Sequence, residues 1–403
     1  MTPIKDVKEF FNPKTIAIVG ASNNPEKVGN ILMKKLKKFK GKVIPININE
    51  TLIGRKKAYN SLLSYPKKIN LVIIAIPSKY VYKTLQQCGK KKIKNIIVIS
   101  AGFSETKHYK LQKQLIKAEK KYQLNILGPN CFGIFNAKLN LDTTFANTTP
   151  KKGSTAFISQ SGALWSYVSD FNLGFSGFVS LGNMADLDFS DFIEYFNKDK
   201  STKKIICYIE KLKEGKRFIE ICKKSKKEII VIKAGQTFQG VQATISHTAS
   251  LATDFEVYLG AFKQAKVNVK NSLAQALKLK KQNFKNYLKK GKTLVITNAG
   301  GGGALLVDEL IKQGIESIKL VDILGIANAN DYRKALSRIR EDYKNIIIIL
   351  TPQTMSEPEN TAKIISSSIF KDKILAMFLG DKSIQEAVKI LKKEKVPVIT
   401  KGV

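Results

Sequence analysis

Thr15-Ile16-Ala17-Ile18-Val19-Gly20-Ala21-Ser22 reads as a β-branched strand that runs through a glycine turn toward a helix containing Gly29. Two further stretches repeat it. Ser154-Thr155-Ala156-Phe157-Ile158-Ser159 passes into Gln160-Ser161-Gly162-Ala163, and Thr293-Leu294-Val295-Ile296-Thr297 passes into Asn298-Ala299-Gly300-Gly301-Gly302-Gly303. Around these lie other strand-sized runs: Lys42–Ile46, Leu71–Ile76, Ile96–Ser100, Gly177–Leu181, Lys204–Ile209, Ile229–Lys233, Asn345–Leu350, Ile374–Phe378 and Val396–Ile399. They alternate with amphipathic, lysine-faced segments, the signature of βαβ units and parallel sheets, so the chain is expected to be an α/β protein.

At 403 residues the chain is too long for one core. Three domains in series are expected, at 1–130, 150–284 and 292–403. The stretch Asn130–Lys152 reads as a crossing loop or hairpin, Ser272–Lys281 as the last helix of the second module, and Lys285–Lys292 as the second boundary.

Lys and Arg number 69 against 32 Asp and Glu, a net charge of +37. The lysines are spread over helical faces without an aromatic platform, so nucleic-acid binding is not expected; the field would help to attract polyphosphates. Cys88, Cys131, Cys207 and Cys222 show no CxxC pairing and no metal-ligand spacing, which points to reduced thiols, a cytoplasmic protein and no metal site. The apolar runs are strand-sized, and neither a signal peptide nor a membrane span is expected.

Candidate chemistry gathers at the turns. Gly20-Ala21-Ser22 lies where unpaired N–H groups favour phosphate. The glycine spacing departs from GxGxxG, and Pro45 and Asn47 stand where a ribose-binding acid is expected, which disfavours NAD although Glu50 follows. That turn alone leaves a dinucleotide and another phosphorylated adenosine ligand both open. Ser161-Gly162-Ala163 and Gly301-Gly302-Gly303 are two more candidate anion loops, or else simply tight turns.

His247 sits in Ser246-His247-Thr248-Ala249-Ser250, after Lys233-Ala234-Gly235-Gln236-Thr237. It is one of two histidines in the chain, and a small-residue setting presents its imidazole as a nucleophile able to carry a phosphoryl group. Glu210, at the carboxyl end of the strand Lys204–Ile209, is placed to orient it. His108 reads as an ordinary exposed residue, and Glu105 after Ser100-Ala101-Gly102-Phe103 is a weaker candidate. Trp165 is either a core residue or the wall of an acyl pocket.

Val19-Gly20-Ala21-Ser22, Ser100-Ala101-Gly102-Phe103, Gly128-Pro129-Asn130-Cys131, Ser159-Gln160-Ser161-Gly162-Ala163, Ser180-Leu181-Gly182-Asn183, Lys233-Ala234-Gly235, Ser246-His247-Thr248 and Thr297-Asn298-Ala299-Gly300-Gly301 occur in this order. Together they resemble the α subunits of ADP-forming acetyl-CoA synthetases, NDP-forming acyl-CoA synthetases related to succinyl-CoA synthetase. The resemblance runs from about Phe11 to beyond Thr351-Pro352-Gln353. It implies a Rossmann-like CoA-binding domain, then two flavodoxin-like domains.

It also implies an acyl-CoA ligase with CoA and inorganic phosphate as ligands and His247 as phosphoryl carrier. Small acyl-CoA esters and carboxylates would be its substrates. Glu210 would hold the imidazole, and Ser161, Gly162, Ala163, Gly301, Gly302 and Gly303 would cradle the phosphoryl group. Gly20, Ala21, Ser22, Lys27, Gly29, Pro45, Asn47, Pro77, Ser100, Gly102 and Asn130 would form the CoA site. The histidine would ride on a mobile loop from Gly235 to Thr253 to a separate ATP-grasp β subunit holding ADP or ATP with Mg2+, in an α2β2 assembly.

Two departures are visible. Gly302 stands where the family usually has proline, and the chain stops at Val403 where family members continue into a further helix. A succinyl-CoA synthetase α subunit, a non-catalytic CoA-binding protein, an NAD-dependent oxidoreductase and a fused lysine acetyltransferase are the alternatives. The third module, His247 with Glu210, the first turn and the lack of an acyltransferase domain disfavour them in that order.

Overall fold

The computed structural model describes the backbone of residues 3–248, 254–280 and 282–402, and their side chains apart from those of 245–248. Its frame is three large sheets. The first contains β1 (Thr15–Val19), β2 (Lys42–Ile46), β3 (Leu71–Ile74), β4 (Asn95–Val98) and β5 (Asn125–Leu127), all parallel, in the order β2-β1-β3-β4-β5. Ile16, Ile18 and Ile73 enter the apolar cluster on one face, and Ala17, Val19 and Ile74 enter another on the opposite face. Burial on both faces is why these strands lack polar alternation.

The second sheet starts with an antiparallel pair, β6 (Ile134–Asn136) and β7 (Leu141–Asp142). It continues with β8 (Lys151–Ser159), β9 (Gly174–Ser180), β10 (Lys204–Ile209), β11 (Glu228–Lys233) and β12 (Asn268–Lys270), in the order β12-β11-β10-β8-β9-β6-β7. The stretch read as a crossing loop or hairpin is therefore a hairpin that extends this sheet alongside β9. The third sheet holds β13 (Thr293–Thr297), β14 (Ile318–Asp322), β15 (Asn345–Leu350), β16 (Ile374–Phe378) and β17 (Val398–Ile399), in the order β14-β13-β15-β16-β17.

The five parallel strands of every sheet thus follow one order, second-first-third-fourth-fifth. The chain enters at the centre, steps once to one side and returns to the other. Between the first and third strands the outgoing loops diverge, and a crevice opens at the carboxyl ends. The crevices lie at β1/β3, β8/β10 and β13/β15.

Four helices matter for these crevices: α1 (Val28–Lys35), α2 (Ala163–Ser169), α3 (Phe238–Thr248) and α4 (Gly300–Lys312). Gly20-Ala21-Ser22 does not open α1 directly, because Asn24 and Pro25 intervene. Ser22 Oγ accepts from Asn24 N at 3.1 Å, Lys27 N donates to Asn24 O at 3.2 Å, and the helix starts only at Val28. Proline forces the residue before it out of the helical region. The helix expected over Ser272–Lys281 is a single turn, Leu273–Ala276, capped by Ser272 Oγ. Lys278 at φ 57° ends it, and Leu279 N turns back to Ala274 O at 2.7 Å. Lys281 lies outside the described residues.

One apolar cluster runs from Val7 to Ile399 through all three sheets. Trp165 is at its centre, fully buried, stacked on Phe178 with centroids 4.2 Å apart and edge-on to Phe175 at 5.1 Å. It is a core residue. The four cysteines are buried and unpaired, and burial pushes the Cys131 and Cys222 thiols up to about 12. Among the described residues no helix is long and apolar enough to cross a membrane.

Trp165→Ala is expected to cost about 3–5 kcal/mol of unfolding free energy, the range for emptying a large buried aromatic site. Urea denaturation followed by circular dichroism measures it, since the variant contains no tryptophan.

Candidate functional site

The second and third crevices face each other. Ser159 Oγ donates to Ser161 O at 2.7 Å and shapes the turn after β8. Gln160 Oε1 accepts from Glu210 N at 2.7 Å and Lys211 N at 2.8 Å, tying that turn to the end of β10. Asn298 does the same in the third sheet: its amide donates to Thr351 O at 3.0 Å and accepts from Thr351 N at 2.9 Å. Two inserted amides hold the switch-point loops as rigid brackets.

Helix α4 starts against Ser161. Tyr208 Oη donates to Gly301 O at 3.1 Å, and a β-carbon on Gly301 would stand 2.6 Å from Ser161 Cβ and 2.8 Å from Tyr208 Oη. Only glycine permits that approach. The first bond to the helix's own start is Gly303 N to Ala299 O at 2.8 Å, so the N–H groups of Gly300, Gly301 and Gly302 precede the ladder at its positive end. Helix α2 has only seven residues, and its contribution to such a field is correspondingly small.

Glu210 is 6% exposed and its Oε1 has no hydrogen-bond partner among the described residues. Burial, with the Glu210 carboxylate nearby, holds the Tyr208 hydroxyl well above its ordinary value. Lys233, at the end of β11, is 3% exposed, donates to Ala234 O and lies 4.5 Å from the Tyr258 ring centre. Burial pulls its ammonium down to about 8, while the charges of Glu210 and Asp308 act in the opposite direction. Lys211 is lowered by burial in the same way.

The backbone of His247 lies in the last turn of α3; its side chain is outside the described residues, as are residues 249–253. The segment expected as a loop from Gly235 is helical over Phe238–Thr248. Thr237 starts it: its O accepts from Val241 N at 2.8 Å and its Oγ1 from Gly240 N at 3.0 Å.

In the first crevice Gly20 has φ 92°, and a β-carbon there would meet Ala75 O at 2.3 Å; one on Gly29 would meet Gly20 O at 1.9 Å. Strand end and α1 are therefore packed backbone to backbone. Several residues expected to contact a ligand are engaged within the fold. Asn47 donates to Ala21 O at 2.8 Å and accepts from Asn49 N and Glu50 N, Ser100 Oγ accepts from Ile76 N at 3.2 Å, and Asn130 donates to Asn183 Oδ1 at 3.3 Å. Pro45 is buried in β2, whereas Lys27 and Pro77 are exposed and Gly102, at φ 99°, gives its N–H to Glu105 at 2.6 Å. Glu105 also accepts from Asn183 at 2.6 Å, so the weaker candidate joins the first module to the second. His108 is exposed, and its Nδ1 lies 2.9 Å from Thr106 Oγ1.

Residues 14–137 match the CoA-binding domain family, and residues 152–281 match the succinyl-CoA ligase-like flavodoxin domain family. The acetate–CoA ligase [ADP-forming] II subunit alpha of Pyrococcus furiosus is 38% identical over 96% of this chain and 93% of its own length. The chain belongs to the family of ADP-forming acetate–CoA ligase α subunits.

The acetate–CoA ligase [ADP-forming] I subunit alpha of the same organism is 33% identical, with 94% of its length covered. This α chain spans only 61% of the acetate–CoA ligase [ADP-forming] I of Archaeoglobus fulgidus, at 35% identity. Among solved structures, a dinucleotide-forming acetyl-coenzyme A synthetase 1 of Ca. Korarchaeum cryptofilum, in complex with phosphate and ADP, is 31% identical. It superposes with a TM-score of 0.66, covering 98% of this chain and 93% of that one.

The sequence reading of the α chain missed the roles of Gln160, Lys233, Asn298 and Asp308. Gln160, Lys233 and Asn298 stand inside the motifs named above, but only the sheet contacts show that Lys233 is a buried ammonium and that the two amides are brackets. Asp308 carried no signal beyond being an acid in an amphipathic helix.

Gly302 differs from Gly301 in having room: a β-carbon would meet Ala299 Cβ at 3.5 Å. Gly302→Ala is expected to raise stability by about 0.5–1 kcal/mol and Gly301→Ala to lower it by about 1–3 kcal/mol, read from thermal melts. For Lys233 the folded-state value lies below the unfolded one, so the unfolded chain binds more protons and stability rises with pH. The stability of the wild type relative to Lys233→Met should therefore increase between pH 8 and pH 10.5, and a flat difference would count against the buried ammonium.

Proposed function

We propose that the chain interconverts acyl-CoA, phosphate and ADP with a carboxylic acid, CoA and ATP, together with a separate ATP-grasp subunit. A phosphate oxygen attacks the thioester carbonyl carbon, the C–S bond breaks and CoA leaves as thiolate, giving an acyl phosphate. The His247 imidazole attacks phosphorus, the bond to the acyl oxygen breaks and the carboxylate departs. The phosphoimidazole then passes its phosphoryl group to ADP on the partner, where Mg2+ accompanies the nucleotide, in an α2β2 assembly.

The observation that carries this reading is the buried Glu210, whose carboxylate lies against the Tyr208 hydroxyl while its Oε1 accepts no hydrogen bond among the described residues, beside the close contact of Gly301, Ser161 and Tyr208. An acceptor buried without a donor is costly unless a ligand or side chain supplies one. A protonated imidazole nitrogen does so, and the charge of Glu210 favours the cationic phosphoimidazole. The N–H groups at the start of α4 and the Lys233 ammonium supply positive potential for the phosphoryl oxygens, and such transfers are mainly positioning and electrostatics. The β1/β3 crevice, with Gly20, Ala21, Ser22, Gly29, Asn47, Pro77, Ser100 and Gly102 around it, takes CoA. Lys27 reaches its phosphates from the rim.

Incubation with acetyl-CoA and radioactive phosphate should label the wild-type chain with an acid-labile, alkali-stable phosphoryl group, and His247→Asn should take up none. Glu210→Gln keeps the shape but not the charge and should slow labelling by about 10- to 100-fold. No label in the wild type, with an ATP-grasp subunit present, would point to a CoA-binding scaffold without catalysis.

A further inference from the structure

Asp308 lies in the third turn of α4 and is 2% exposed, yet its bonds go to the second module. Its Oδ2 accepts from Gly235 N at 2.8 Å and Gln236 N at 3.0 Å, and its Oδ1 from Thr237 N at 2.8 Å and Thr237 Oγ1 at 2.9 Å. Three successive backbone N–H groups of one loop converge on a single carboxylate from another module, in the manner of an anion-binding nest. Burial raises the Asp308 carboxyl and these donors lower it.

The loop is the root of α3. Thr237, held by Asp308, is the residue whose Oγ1 caps Gly240 N, so the bonds run from α4 through Thr237 into the first turn of the histidine helix. Gly240 completes the fit, because a β-carbon there would stand 1.9 Å from Asp308 Oδ1. One turn later, Lys312 reaches Gln236 Oε1, and Gln236 Nε2 donates back to Lys233 O at 2.6 Å. Helices α3 and α4 pack along each other from this point.

We propose that Asp308 is a positioning residue for phosphoryl transfer, anchoring the root of the segment that carries His247. The proposal rests on the carrier reading above. The same helix offers Gly300 to Gly302 at its start and Asp308 about 12 Å further along its axis, at 1.5 Å per residue. One rigid element therefore sets the register between the start of α4 and the first turn of the helix that carries His247.

The test uses the full chain with its ATP-grasp subunit and the variants Asp308→Asn, Gly240→Ala and both together. Hydrogen exchange of residues 235–244, labelling from acetyl-CoA and phosphate, and discharge of the label to ADP are measured. Loss of charge-assisted bonds predicts that each single variant exchanges faster and is labelled more slowly, by about 10-fold or more, while discharge stays within about 3-fold. The double variant should be no worse than the poorer single one, because both remove the same contact.

Unchanged exchange, or labelling and discharge falling together with a loss of helix signal, overturns the positioning role. His247→Asn run alongside separates the two ideas. Label on that variant overturns the carrier reading and the positioning role with it. Label lost there but unchanged in Asp308→Asn overturns the positioning role alone.

Discussion

Two buried carboxylates cross between the second and third modules in opposite directions, and the geometry of the site follows from them. Asp308 reaches from α4 to the Gly235–Thr237 loop. Asp170, just after α2, accepts from Asp381 N at 2.7 Å, Ser383 N at 3.0 Å and Ser383 Oγ at 2.7 Å in the third module. A carboxylate taken out of water is costly unless several donors surround it, so each holds its partner loop to one orientation. With both in place, the third sheet cannot rotate against the second without stripping a buried charge of its donors. That fixed angle brings Gly301 onto Ser161 and Tyr208.

Within this frame the repeated strand order does the rest. Three sheets with the same switch point carry three crevices at the carboxyl ends of their strands. In the first, Gly20 and Gly29 bring the strand end and α1 into backbone contact. The other two share one space, where Glu210 and Lys233 are buried with opposite charge and the start of α4 adds its dipole. The continuous apolar cluster through all three sheets makes them one packed body, so groups contributed by different modules keep their spacing.

Strands were legible because buried parallel strands are runs of β-branched residues bounded by glycine turns, and that is a local property. Most expected runs appear within two or three residues of their observed ends. The errors came where local polar chemistry competes with periodicity. Asn24 and Pro25 delayed α1, Lys278 cut short the helix after Ser272, and Thr237 turned an expected loop into α3. In each case one or two residues have hydrogen bonds or backbone angles that outweigh the apolar pattern around them.

The sequence by itself determined the α/β class, the three strand–turn–helix units and the glycine loops, and it singled out His247 and Glu210 as candidates, since these depend on residue types at short spacings. The tertiary structure decided which of those loops meet, that Trp165 is core, that Asn47, Ser100 and Asn130 bond within the fold, and that Lys233 is buried. It also decided that Asp308, more than 70 residues away along the chain, accepts from the Gly235–Thr237 backbone. Burial and long-range pairing are properties of packed sheets, and no spacing along the chain records which buried charge will face which backbone N–H.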